Sequence, residues 1–337
     1  MSTTIKIEDV QAEKGKKKFG LLKIGETPTG PVELPLWIVN GFQKGPTLCL
    51  TAGLHPCEYA GIEAVIRTCK EIDPKEMNGA IVAVPVINIP GFRTGSEYVN
   101  PMDNLNMMFI SPYIREGTIS HRIMHALLNK IIVKADYHID CHGGDLNEAM
   151  DPYTVFPKVN SREVDTSSEA LARIFGTEDV DCRTPEHARG LFLESAKIGV
   201  PSIMSEAGGE GIINEEDVAI HMKGIQNVLQ YAGIMDGIPR ISAKHKFGQK
   251  KFSVVANRGG LVYKVIGTGD FVLKDQKVAE IRNLRGETVD ELKSPDEGKV
   301  KVIFTHSVMN TGDTIMIGWT LKEASPFPLT DRFYVGK

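Results

Sequence analysis

The feature that most constrains this chain is a change of rhythm near residue 238. Before it, short apolar runs alternate with longer amphipathic ones. The runs at 34–40, 46–52, 80–88, 137–142, 153–157 and 201–207 have the length of buried strands. Helical spacing marks 58–72, 119–134, 167–176, 191–199 and 214–233. The last of these opens on the acidic "NEED" and closes on Gly233, as the helix dipole and C-capping prefer. Strands interleaved with helices predict an α/β layered fold with a mostly parallel sheet. Beyond 238 only short strands remain, separated by turns such as "GTGD" (267–270) and "NTGD" (310–313). The expected division is therefore an α/β domain over 1–238, its first 30 or so residues extended, and a small β barrel or sandwich over 239–337.

Composition narrows the partners. A formal charge of −4 and a pI of about 6.2 give no footprint for nucleic acid. The one basic run, "EKGKKKFG" (13–20), reads as a solvated loop. Five cysteines, an odd number without zinc-ribbon or redox spacing, fit a reducing compartment. The N-terminal "MSTTIKIEDVQ" has no leader-like core, and no apolar run approaches the roughly 18 residues of a membrane span. A cytoplasmic protein acting on a small molecule is expected, without nucleic-acid or membrane partner and compatible with a homo-oligomer. "GGEG" and "GGL" lack the strand and helix context of a nucleotide loop.

Chemistry-bearing residues sit where strands are expected to end, the place where open α/β sheets carry their sites. In "GLHPCE" (53–58), His55 and Glu58 stand at a strand-to-helix transition and can aim at one point. A zinc ion takes about four nitrogen, sulfur or oxygen ligands, so a third protein ligand is needed. In "YHIDCH" (137–142), alternation puts His138, Asp140 and His142 on one face, with His142 last and Asp140 placed to orient it. Glu206 ends the run "PSIMSE" and enters a glycine-rich turn, where a carboxylate can shuttle a proton. Taken singly, each has a plainer reading: a capped surface helix, a core histidine, a helix-terminal charge. Together, in the order H-x-x-E, D-x-H, E, they predict metal-assisted hydrolysis. His121 and His125 are read as helix-face residues, and Cys141, pointing away from His142, as packing.

The segments "GLHPCE", "VINIPGF" (86–92), "LN" (105–106), "IDCHGGD" (139–145) and "PSIMSEAGG" (201–209) resemble the succinylglutamate desuccinylase/aspartoacylase family, a branch of the zinc carboxypeptidase-like fold. The resemblance spans nearly the whole chain. It implies a mixed sheet flanked by helices followed by a small all-β domain, one Zn²⁺ on His55, Glu58 and His142, and Glu206 as general acid/base. It also implies cleavage of the amide bond of a small N-acyl amino compound, with Asn106 touching substrate. Two family arginines are replaced. Glu97 precedes Tyr98 where one is usual, and Met107 completes "LNM" in place of "LNR". No arginine lies from Thr94 to Ile114, so Arg93 is the candidate to reach the oxyanion, and Arg183 or Arg189 to hold a carboxylate. With Asp145, Glu148, Asp151 and Glu210 also nearby in sequence, the pocket is expected to disfavour dianionic substrates and admit neutral or cationic amines, although each acid singly reads as a solvated loop charge. A non-catalytic metal- or ligand-binding protein and a carboxypeptidase remain the alternatives.

Overall fold

The apolar runs assemble into one twisted sheet of 13 strands. A computed structural model describes residues 4–110, 113–241 and 244–325. From one edge the strands run Lys16–Thr27, Gly30–Asn40, Asn78–Val84, Gln43–Ala52, Tyr137–His142, Ser202–Glu206, Tyr153–Pro157 and Asp179–Arg183. The sheet is mixed. Tyr137–His142 is parallel to both its neighbours, whereas Tyr153–Pro157 is antiparallel to Ser202–Glu206.

Alternation along each strand decides which layer it feeds. Leu48 and Leu50 face a core shared with helices Tyr59–Glu71, Arg162–Phe175 and Glu215–Tyr231. Cys49, Val82 and Val84 face the opposite core, closed by Ile123, Met124 and Leu127. The predicted 119–134 helix starts as the α-helix Ile119–Ala126, widens to one π turn over Leu127–Ile131 and tightens over Ile132–Lys134.

Two expectations are corrected. The basic run at 13–20 is not a loop, because residues 16–20 open the edge strand Lys16–Thr27. Charged side chains suit an edge, where they discourage further pairing. Lys17 also has a local partner: its Nζ donates to the carbonyls of Cys69, Lys70 and Ile72 at the end of helix Tyr59–Glu71. The stretch 89–117, where neither strand nor helix rhythm marks an element before Ile119, contains a short helix, Ile89–Thr94, capped by Asn88, and a two-stranded ladder of Val99–Asn100 with Leu105–Asn106.

Among the described residues beyond 244 every element is a strand, as expected, but four of them belong to the main sheet, the short Phe271–Val272 pairing with Gly298–Phe304. Lys246–Val255 pairs in parallel with Asp179–Arg183, followed outward by Thr314–Glu323 and Gly298–Phe304. Gly298–Phe304 in turn pairs with Glu148–Met150, just after His142. A separate antiparallel sheet of four strands packs on these through Val262, Val278, Ile281 and Leu292. The C-terminal region thus grips the central strands at two places beside the site.

Candidate active site

Three parallel strands bring the site together. Glu206 is in register with His142, and Cys141 with Ala52, so the carboxyl ends of Gln43–Ala52, Tyr137–His142 and Ser202–Glu206 lie abreast. The chain leaves Ala52 through Gly53, whose φ of +63° suits glycine, and whose missing side chain lets Val86 approach. Backbone bonds from Ile87 to Ala52 and from Asn88 to Gly53 hold this turn. Helix Tyr59–Glu71 then packs tightly on His142's strand, since a Cβ on Gly61 would lie 3.0 Å from that of Cys141.

The outcome is a cluster of His55, Glu58 and His142 with ligand atoms within 4.8 Å of one another. Glu58 stands between the imidazoles, with Oε1 2.7 Å from His55 Nδ1 and Oε2 2.9 Å from His142 Nδ1. Its side chain makes no helix-capping bond, so the plain capping reading fails. Burial would raise the Glu58 pKa, but His142 and His55 outweigh it and draw it down to about 2. His55 Nε2 is nevertheless buried without a hydrogen-bond partner, and Glu58 Oε2, for all its closeness to His142, is not aligned with it as a hydrogen bond. An orphaned carboxylate oxygen between two imidazoles suits a cation, and the donor set, two imidazoles and a carboxylate, suits zinc.

Asp140 stands behind His142, its Oδ2 3.3 Å from Nε2, while Oδ1 accepts from Thr51 Oγ1 at 2.6 Å. His138 has no vacancy for a ligand: it contacts Thr51 Oγ1 at 2.8 Å and Ser195 Oγ at 2.9 Å. His121 bonds Thr118, and Cys141 packs in the core. Glu206 is buried, with Oε2 unpartnered. Burial pushes its pKa up to about 8, His142 opposes and Glu58 adds to the rise.

An acidic flank adjoins the cluster. Asp145 is only 3% exposed, not solvated, because the Gly143–Gly144 turn interlocks with the 207–210 turn through Gly144 N–Gly208 O and Glu210 N–Asp145 O, both 2.9 Å. Cys57 Sγ donates to its Oδ1 at 3.0 Å. Burial foremost, then Glu58, raises Asp145 to about 7, and burial raises Glu148 as well. Glu97 Oε1 is buried and unpartnered close by, and Tyr98 sets its ring edge against His55 at 5.5 Å. Of the other acids, Asp151 is taken up by Lys299 and Lys301, and Glu210 is exposed.

The candidate substrate residues lie apart. Arg93 is exposed on its short helix. Arg189 is exposed and donates to the Pro185 and Ala188 carbonyls at 2.7 and 2.6 Å. The Asn106 side chain accepts from Met108 N at 2.9 Å, and Met107 is fully buried in the core. Sequence reading passed over Lys251, Tyr153 and Trp319, which converge beside Glu206's strand from distant segments. Tyr153 is in register with Glu206, its ring 4.6 Å from Trp319, and Lys251 lies over Trp319. No spacing rule links residues 153, 251 and 319.

The fold and the catalytic-domain match place the chain in a class of deacylases, hydrolases of amide bonds. The chain belongs to the succinylglutamate desuccinylase/aspartoacylase family, whose catalytic-domain model matches residues 44–232. It is 24% identical over 311 residues to the N-alpha-acetyl-L-2,4-diaminobutyric acid deacetylase of Halomonas elongata, covering 89% of this chain and 90% of that one. The product-bound structure of the ectoine utilization protein EutE (DoeB) from Ruegeria pomeroyi superposes with a TM-score of 0.84 at 23% identity, over 94% and 98% of the two chains. A succinylglutamate desuccinylase/aspartoacylase from Rhodobacter sphaeroides gives 0.81 at 23% identity over 92% and 96%. Among the described residues no helix is long and apolar enough to cross a membrane.

Proposed function

We propose that the protein is a zinc-dependent deacylase that cleaves the amide of a small N-acyl amino compound carrying a free cationic amine. The observation that carries this reading is the convergence of His55, Glu58 and His142 beside the buried carboxyl of Glu206. Those three residues would hold the ion, with Asp140 fixing the His142 ring. When bound, zinc supplies positive charge that acidifies water and polarises the scissile carbonyl.

Glu206 accepts the proton of the attacking water and returns it to the departing nitrogen. Its raised pKa, about 8 in the metal-free site, suits a group that must both take and give a proton near neutrality. The acidic flank supports the substrate's charge. Among the described residues Asp145 and Glu148 have no cationic side-chain partner, and an ammonium from substrate would supply one. The Halomonas relative acts, by its name, on a diaminobutyrate derivative, which carries such an amine.

The test is a panel of N-acyl compounds offered to the zinc-loaded protein. N-acetyl-2,4-diaminobutyrate is expected to outperform N-acetylaspartate and N-succinylglutamate. A preference for either dianion sinks the charge reading, and no turnover across the panel returns the chain to a metal-binding protein.

A further inference from the structure

An amino-acid substrate brings a carboxylate as well as an amine, and the family arginine that would grip it is absent, as is the one that would polarise the scissile carbonyl. Met107 is buried in the core and Glu97 has the wrong sign. Arg93 is exposed on its helix, and Arg189 is engaged by its own loop. We propose that Arg183 is the anchor for the substrate's carboxylate, a reading that rests on the deacylase function above.

Register puts Arg183 on Glu206's face of the sheet. Tyr153 pairs with both Glu206 and Asp179, and alternation carries that face through Asp181 to Arg183. The Arg183 side chain turns back along its strand, donating Nε–H to Asp181 Oδ2 at 2.9 Å. There its charge is felt by Glu206 and Tyr153. That single side-chain bond is its only one among the described residues, and 24% of the side chain is exposed, so neither Nη group is tied to a protein acceptor there. Lys251 donates to the same Asp181 oxygen at 2.7 Å. Two cations therefore share one carboxylate, and the surplus charge is positive. A guanidinium fixed through Nε presents its Nη pair as a fork that fits a carboxylate bidentately, which an ammonium does not.

A role confined to the ion pair with Asp181 makes a different prediction, and substrate discrimination separates the two. Steady-state kinetics of the zinc-loaded protein would compare N-acetyl-2,4-diaminobutyrate with its α-carboxamide. The wild type is expected to favour the acid by about 10²-fold in kcat/KM, the scale of hydrogen bonds to charged groups. Arg183→Gln is expected to erase that preference mainly through KM, with a much smaller change in the carboxamide's kinetics and the zinc content retained, and with Arg183→Lys intermediate. Equal losses on both substrates, no loss on either, or a wild type without preference overturns the anchor. Should the wild type hydrolyse neither compound, calorimetric titration with 2,4-diaminobutyrate and its carboxamide decides. Tighter binding of the acid, lost in Arg183→Gln, keeps the anchor and rejects the hydrolase; equal binding rejects the anchor.

Discussion

The two flanks of the site handle charge in opposite ways. On one, Asp145 and Glu148 are held by neutral groups, the Cys57 thiol on Asp145 and the Asp145 amide on Glu148, and Glu97 Oε1 is buried without a partner. On the other, carboxylates are outnumbered. Arg183, Lys251, Lys299 and Lys301 surround Asp151, Asp179 and Asp181. Burial therefore has different consequences. Uncompensated carboxyls rise, Asp145 to about 7, whereas Lys301 and Lys299 overcome burial and hold Asp179 below its ordinary range. A buried acid without a cation is destabilising unless something else repays it. On the proposed function a cationic ligand would complete the acidic flank, whereas the basic flank is completed by the protein itself with positive charge to spare.

The largest expected effect removes the group between the flanks. Glu206→Gln should lower kcat by about 10²–10⁴-fold, the usual worth of a positioned acid/base, with zinc retained at wild-type stoichiometry. Metal loss in that variant would make Glu206 a ligand and leave the flanks without a common centre. Next in size, Asp145→Asn should cost about 10–100-fold in kcat/KM for a cationic substrate, the scale of one charge-assisted hydrogen bond, and much less for N-acetylglycine. Equal losses on both would mean that Asp145 acts only through Cys57 and the turn it buries, and the contrast between the flanks would not reach substrate.

The two flanks also differ in how legible they were in sequence. His55, Glu58, His142 and Glu206 were readable because each ends a strand, and a parallel sheet aligns strand ends wherever the strands fall in the chain. The acidic flank was half readable. Asp145 and Glu148 stood next to "DCH", but their burial depends on the 207–210 turn closing over them. The basic flank was nearly invisible, because Lys251 and Trp319 arrive through sheet pairings of the C-terminal strands. The lysine-rich edge strand was missed because its polar residues satisfy an edge, where hydrophobic alternation weakens.

The smallest effect, and the sharpest on the comparison, is in stability against pH for the metal-free protein. In the acidic flank and at Glu206 the folded pKa values are raised, from 3.8 to about 7 for Asp145 and from 4.5 to about 8 for Glu206. Between those limits the unfolded chain has released protons that the folded chain keeps, so raising the pH favours unfolding. Asp179 is lowered, and its contribution is present above 3.8 and lost as pH falls through its folded value. Thermal melts under chelator should therefore show a midpoint that declines from pH 5 to 8, and Asp145→Asn and Glu206→Gln should each flatten the decline. Asp179→Asn should lower the midpoint at both pH values without changing that slope. If the slope belonged instead to the basic flank, Asp179→Asn would flatten it and Asp145→Asn would not, and the assignment of uncompensated charge to the Asp145 side would be reversed.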